Sequence, residues 1–157
     1  MSVHDYLVDH RDFDWQMLFK EWTWLVPKEF TVWLMNRFGD LFLVFEDGSV
    51  HMLDVGGGTL ERVASSREDF GFKIDEDDNA NDWLMIPLVD DLVAAGITLS
   101  EGQCYSYRKP PILGGDYTVE NTCILPIAEH YGMYGLIQNQ IKDLQDGAEV
   151  VIEIDKS

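Results

Sequence analysis

Cysteine, basic residues and long apolar runs are what this chain has least of, and each shortage excludes something. There are two cysteines in 157 residues. Cys104 and Cys123 lie in no close-spaced motif, so a cytosolic, reduced pair is expected. Each sits in an aromatic or β-branched run, which favours burial over reactivity. Lys and Arg number 11 against 29 Asp and Glu, a net charge of −18. Such a chain repels nucleic acid and anionic membrane, and it attracts basic surfaces. Halophilic adaptation or selection for solubility would give the same balance. No apolar run approaches the ~20 residues a membrane span needs. His4-Asp5-Tyr6-Leu7-Val8-Asp9 has neither a basic nor an apolar leader region, so a cytoplasmic location is expected.

Catalytic and cofactor signatures are missing as well. Gly56-Gly57-Gly58 lacks the spacing of a dinucleotide loop and opens a strand instead of a helix. No Gly-x-Ser-x-Gly elbow is present. His51 and His130 have no second ligand at metal-binding spacing, and Cys123 stands seven residues before His130, which is not a zinc pattern. A Cys–His nucleophile pair would need a tertiary contact that no motif announces. The acidic run Asp75-Glu76-Asp77-Asp78-Asn79-Ala80-Asn81-Asp82 begins like a calcium loop. Its sixth position is Ala80 where glycine is required, and its twelfth is Ile86 where a bidentate Glu is required. An EF-hand is excluded, and the run reads as a solvated loop before a helix. No metal, no cofactor and no catalytic residue is expected.

With 46% hydrophobic and 12% aromatic residues, the chain is globular and long enough for one domain with a true core. Residues 10–22 read as an amphipathic helix, with Trp15, Leu18, Phe19 and Trp22 at 3–4 spacing. Four of the five tryptophans fall in the first 33 residues. Tryptophan suits interface hot spots, but the helical spacing of Trp15 and Trp22 favours the core. A strand is expected over Thr31–Asn36. Leu41–Phe45, apolar throughout, reads as a strand covered on both faces. Asp47-Gly48 turns the chain back into Val50–Val55, and the three glycines turn it again into Thr59–Val63.

Further on, Ser65 with Glu68 forms a capping-box pattern for a short helix. Pro87 opens a helix that should bury Leu88, Leu92 and Ala95 and stop at Gly96. Strands near Gln103–Arg108 and Thr122–His130 flank a loop. A last helix presents Met133, Ile137, Ile141 and Leu144, and Asp146-Gly147 leads to a strand over Glu149–Ile154. The class is α+β: one structural domain with a central antiparallel or mixed sheet, and an N-terminal and a C-terminal helix packed on it.

The flanked loop is the most distinctive stretch. Tyr105-Ser106-Tyr107-Arg108 alternates like a strand and stops at Lys109-Pro110-Pro111, where two amide donors are lost and φ is fixed. Gly114 and Gly115 supply the positive φ that a reversal needs. With Phe38-Gly39-Asp40-Leu41-Phe42-Leu43-Val44, Glu46-Asp47-Gly48-Ser49-Val50, Leu53-Asp54-Val55, Gly102-Gln103-Cys104-Tyr105 and Gly135-Leu136-Ile137-Gln138-Asn139-Gln140-Ile141-Lys142-Asp143-Leu144, this loop resembles the C-terminal domain of type VI secretion immunity proteins. Those proteins neutralise secreted DNase effectors. The matching runs extend over roughly residues 33 to 150. A fainter similarity, at Trp24-Leu25-Val26-Pro27 and the meander after it, is to the Smi1/Knr4-like immunity superfamily.

The resemblance implies an N-terminal helical segment over residues 1–30 and an immunity-type domain over residues 31–157. Longer relatives carry a further N-terminal domain. It also implies a noncatalytic protein that captures a basic effector, a nuclease in the family, without binding nucleic acid itself. The candidate partner-binding residues are Asp75, Glu76, Asp77, Asp78 and Asp82, with Asp90 and Asp91 as a second group. Lys109, Pro110, Pro111, Gly114 and Gly115 are either scaffold or contact. An orphaned interaction module that has lost its toxin, or an enzyme using the acidic run and a histidine, would be the other classes.

Overall fold

The computed structural model describes residues 3–142. Leu144, the Asp146-Gly147 turn and the expected strand Glu149–Ile154 lie outside them. Four strands form an antiparallel meander in sequential order: β1 (Thr31–Met35), β2 (Leu41–Val44), β3 (Val50–Asp54) and β4 (Thr59–Ala64). The register of β2 on β3 pairs Leu41 with Leu53 and Val44 with Val50. Asp47 closes this hairpin by accepting the Ser49 amide at 2.9 Å, while Gly48 takes φ +84. Leu41, Phe42 and Leu43 are all fully buried, so both faces of β2 are covered, as its unbroken apolar run requires.

Helix α2 (Arg67–Lys73) packs against β4, followed by α3 (Asn79–Leu84) and α4 (Ile86–Ala94). Phe70 of α2 meets Phe42 and stacks on Trp83 of α3, with ring centroids 5.1 and 5.3 Å away. The N-cap of α2 is one residue later than expected. Ser66 Oγ accepts the Asp69 amide, and the Asp69 carboxylate reaches back to the amide and hydroxyl of Ser65. The short Asp69 side chain closes the box, and Glu68 stays outside. Helix α4 ends with a paired cap: Gly96, at φ +80, donates to Val93 O and Ile97 to Leu92 O. Its buried face is Leu88, Val89 and Leu92. Ala95 is exposed because it already belongs to the cap.

β5 (Gln103–Tyr107) and β6 (Thr122–Pro126) form a second, two-stranded sheet, so the expected sheet is divided in two. The Tyr105 amide joins them to the meander by donating to Arg37 O at 2.8 Å. Pro126, which has no amide to extend the ladder, ends β6 and opens α5 (Ile127–Ile141). His130 therefore lies on a helix and not at a strand end. The buried face of α5 centres on His130, Tyr131, Tyr134, Ile137 and Gln138, with Met133 and Ile141 half-buried beside it.

The expected N-terminal helix is shorter than its periodicity. Asp14 accepts the Met17 amide, fixing the start of α1 (Trp15–Leu18), and turns carry the chain on to Val26. Trp22 is completely buried and donates its indole N–H to Tyr131 O at 2.9 Å. Gly135 permits this approach, since a Cβ there would stand 2.6 Å from Glu21 Cβ.

Candidate functional site: an acidic cleft

The turn between β1 and β2 sets the site. Asn36, fully buried, accepts the amides of Phe38 and Asp40 on Oδ1 at 2.9 and 3.0 Å. Its Nδ2 donates to Asp40 Oδ2 and to Trp83 O. Gly39 takes φ +79, and its carbonyl receives the Tyr131 hydroxyl. Asp40 is thereby turned inward, 4% exposed, and its Oδ1 accepts the Val55 amide at 2.9 Å. Asp54, at the end of β3, accepts the Gly57 amide at 3.1 Å. Burial first, then the Asp54 charge, holds the Asp40 carboxyl well above the usual carboxylate range. Burial raises Asp54 too.

These two acids open onto a cleft of about 640 Å³. One wall comes from Asn81 and Asp82 of α3, Met85 at the joint, and Pro87, Leu88 and Asp91 of α4. The other comes from Tyr107 at the end of β5 and from Tyr117, Thr118, Val119 and Glu120 before β6. Met85 takes φ +52, a left-handed conformation unusual for a residue with a side chain. It is both the C-cap of α3 and the N-cap of α4, and its sulfur accepts the Tyr107 hydroxyl at 3.6 Å. Among the described residues, no Lys, Arg or His lines the cleft.

The proline-glycine loop supports the second wall. Pro111–Leu113 is a single 3₁₀ turn ended by Gly114 at φ +94. Gly115 is needed for a different reason from the one the sequence suggests. Its φ is not positive, but any Cβ would overlap Lys109 O. Asn121 ties the loop shut: Oδ1 accepts the Lys109 amide at 2.9 Å, and Nδ2 donates to Lys109 O at 2.9 Å and to Asp116 O at 2.8 Å. Pro111 rests beside Gly56 of the β3–β4 turn, where an added Cβ would lie 3.6 Å from its Cγ. The exposed Ile112 and Tyr117 project from this loop, 44% and 56% accessible.

The candidate acids are thus separated into groups. Asp82 and Asp91 line the cleft. Asp90 turns away and accepts the Tyr6 hydroxyl at 2.8 Å. Asp75, Glu76, Asp77 and Asp78 form an exposed turn between α2 and α3, outside the cleft. The acidic run is not wholly a loop, because from Asn79 on it is helix α3. Asp40, Asp54 and Glu120 had no charge-run signal to reveal them. Asp40 and Asp54 stood in the Phe-Gly-Asp and Leu-Asp-Val blocks of the resemblance without being marked as candidates.

Elsewhere, polar clusters read as packing. Ser49 is 1% exposed, donates to Asp47 and lies 2.9 Å from His51 Nε2. The hydroxyl is shut away from solvent at the centre of that trio, and His51 stacks on Phe45. His130 Nδ1 is 2.9 Å from Ser106 Oγ, and burial pushes its pKa down to about 4. Burial raises the thiols of Cys104 and Cys123. Among the described residues, no group of three His, Cys, Asp or Glu is placed to hold a metal ion, and no helix is long and apolar enough to cross a membrane.

A small α+β protein with an acidic cleft is the class that this geometry defines. Residues 64–138 match the family model described as T6SS immunity protein Tdi1, C-terminal, so the resemblance read from the sequence holds over that segment. The match runs from the end of β4 into α5 and contains most of the cleft. No curated protein matches the chain. Among solved structures, the crystal structure of Atu4351 from Agrobacterium tumefaciens is similar at 18% identity and a TM-score of 0.48, over 66% of this chain and 52% of that one. This chain thus spans about half the length of that protein.

Proposed function

We propose that this protein is an immunity protein that neutralises a cognate type VI effector by binding, without catalysis, and that the effector is a nuclease. The observation that carries the reading is that the family match over residues 64–138 falls on the segment supplying Asp82, Asp91, Tyr117 and Glu120 to the cleft. A nuclease must present Lys and Arg to phosphates, and a folded acidic surface occupies that place by charge and by bulk. The action is in the cytoplasm of the cell that makes the effector. Two faces contribute: the cleft, and the exposed turn Asp75–Asp78, whose four carboxylates steer the basic partner from a distance.

The test is co-expression with the protein encoded by the adjacent reading frame. Expression of that protein alone should arrest growth and degrade DNA, and co-expression of this chain should restore both. Rescue without a stoichiometric complex, or a toxic neighbour unaffected by this chain, would overturn the reading.

A further inference from the structure

We infer that the cleft is a receptor for a single arginine side chain presented by a protein partner, with Tyr117 as the face against which the guanidinium lies. Resting on the immunity reading, that arginine belongs to the effector. The cleft's shape favours a particular kind of occupant. Its lining combines the apolar Met52, Met85, Leu88 and Tyr107 with the buried Asp40 and the more accessible carboxylates of Asp54, Asp82, Asp91 and Glu120. A metal ion would make no use of the apolar side chains, and among the described residues no three ligating groups are placed to hold one. A side chain with an aliphatic stem and a charged head uses both parts.

Charge complementarity is one-sided. Among the described residues none that lines the cleft is basic, and the chain's net charge is −18. The cleft's four more accessible carboxylates come from four separate parts of the fold: the end of β3, helix α3, helix α4 and the segment before β6. All four line one cleft, and carboxylates held on separate elements suit a planar, multidentate donor. Tyr117 supplies the aromatic component. It is 56% exposed, and its ring meets Tyr107 edge-on at 5.6 Å, which fixes its orientation beside the cleft. A guanidinium against an aromatic face, between carboxylates, is a strong form of arginine recognition. The Asn121 clasp and the Gly115 contact hold this wall in place before any partner arrives. A preorganised wall keeps the ordering cost of binding low.

The experiment uses N-acetyl-arginine methylamide as probe and its citrulline counterpart as the uncharged control, titrated into the full chain and followed by amide NMR shifts. Saturable shifts are expected at Asp82, Asp91 and Tyr117–Glu120 with arginine and not with citrulline. The variant D82N/D91N/E120Q should weaken the arginine response at least about tenfold, the loss expected when charge-assisted bonds are removed. Asp82, Asp91 and Glu120 are exposed, so the variant should keep the wild-type spectrum elsewhere. Y117A, tested separately, should weaken binding through the ring alone. No saturable shift at the cleft, an equal response to citrulline, or an unchanged triple variant would each overturn the inference. Co-expression separates the two proposals. A triple variant that still neutralises the effector fully defeats the arginine site and leaves immunity standing. A chain that binds the probe at the cleft but protects against no neighbour keeps the site and defeats immunity.

Discussion

Asn36 shows how much of the site depends on one side chain. Its amide satisfies two buried backbone donors and gives two hydrogens, to Asp40 and to the Trp83 carbonyl. Removing it leaves those donors without partners and frees Asp40 to turn. Asn36→Ala should therefore destabilise by about 3 kcal/mol, since a buried unsatisfied group costs ~1–3 kcal/mol each and part of the loss is recovered by relaxation. Chemical denaturation measures it directly, and a loss under ~0.5 kcal/mol would contradict the account. Gly115→Ala has another cause. The new methyl overlaps the Lys109 carbonyl, so the loop must open and release Asn121. The expected result is lost amide protection over residues 109–121 with the meander unchanged, readable by hydrogen exchange.

At the scale of elements, the joint between α5 and the β3–β4 turn matters most for the cleft. Gln138 Nε2 donates to the carbonyls of Val55 and Gly56 at 3.3 and 3.0 Å. This holds the turn next to Asp54. Ionisation then couples these elements in two opposite senses. Asp54, and still more Asp40, have folded pKa values raised above the ordinary 3.8 by burial. The folded state therefore holds more protons than the unfolded chain, and stability falls as pH rises above 3.8. His130 is lowered from 6.5 to about 4. The unfolded chain then holds the extra proton, and stability falls as pH drops from 6.5 towards 4. The two effects oppose each other across the same window. Asp54→Asn keeps an acceptor for Gly57 and removes the buried charge. It should raise Tm at pH 7 by roughly 2–4 °C, the shift for ~1 kcal/mol in a chain of this size. That gain should fade as pH falls, because the raised Asp54 carboxyl takes up its proton at a higher pH than a free carboxylate would. A scan of Tm against pH for both proteins checks this, and a gain independent of pH would refute the ionisation argument.

For the molecule as a whole, the net charge of −18 acts on encounter more than on persistence. Attraction to a basic effector should raise the on-rate by roughly 10- to 1000-fold over an unsteered encounter. The gain should shrink as the Debye length falls from ~10 Å at 0.1 M salt to ~3 Å at 1 M. Asp75, Glu76, Asp77 and Asp78 are exposed and lie outside the cleft. Changing all four to amides should slow association several-fold and leave dissociation nearly constant. Cleft variants should show the reverse, with faster dissociation. Stopped-flow kinetics at several ionic strengths separates the two faces. Association insensitive to both salt and the four amides would make the turn a solvated surface only.

The sequence by itself determined the meander, the turn at Asp47-Gly48, the stop at Gly96 and the break at Pro110-Pro111. Each depends on patterning or backbone chemistry within a few residues of chain. The same locality let it exclude a calcium loop from Ala80 and Ile86. Where local signals competed, they slipped: the cap moved from Ser65 to Ser66, and His130 moved from strand to helix because Pro126 cannot extend a ladder. The cleft was legible only in fragments. Asp82 and Asp91 stood out as charged residues, whereas Asp40, Asp54 and Glu120 carried no signal of their proximity. Only the tertiary structure decided that these acids share one opening while Asp90, next to Asp91, faces Tyr6. The reason is physical. A helix turns about 100° per residue, so neighbours in sequence face apart, and acids some 80 residues distant meet only because the second hairpin packs beside the meander.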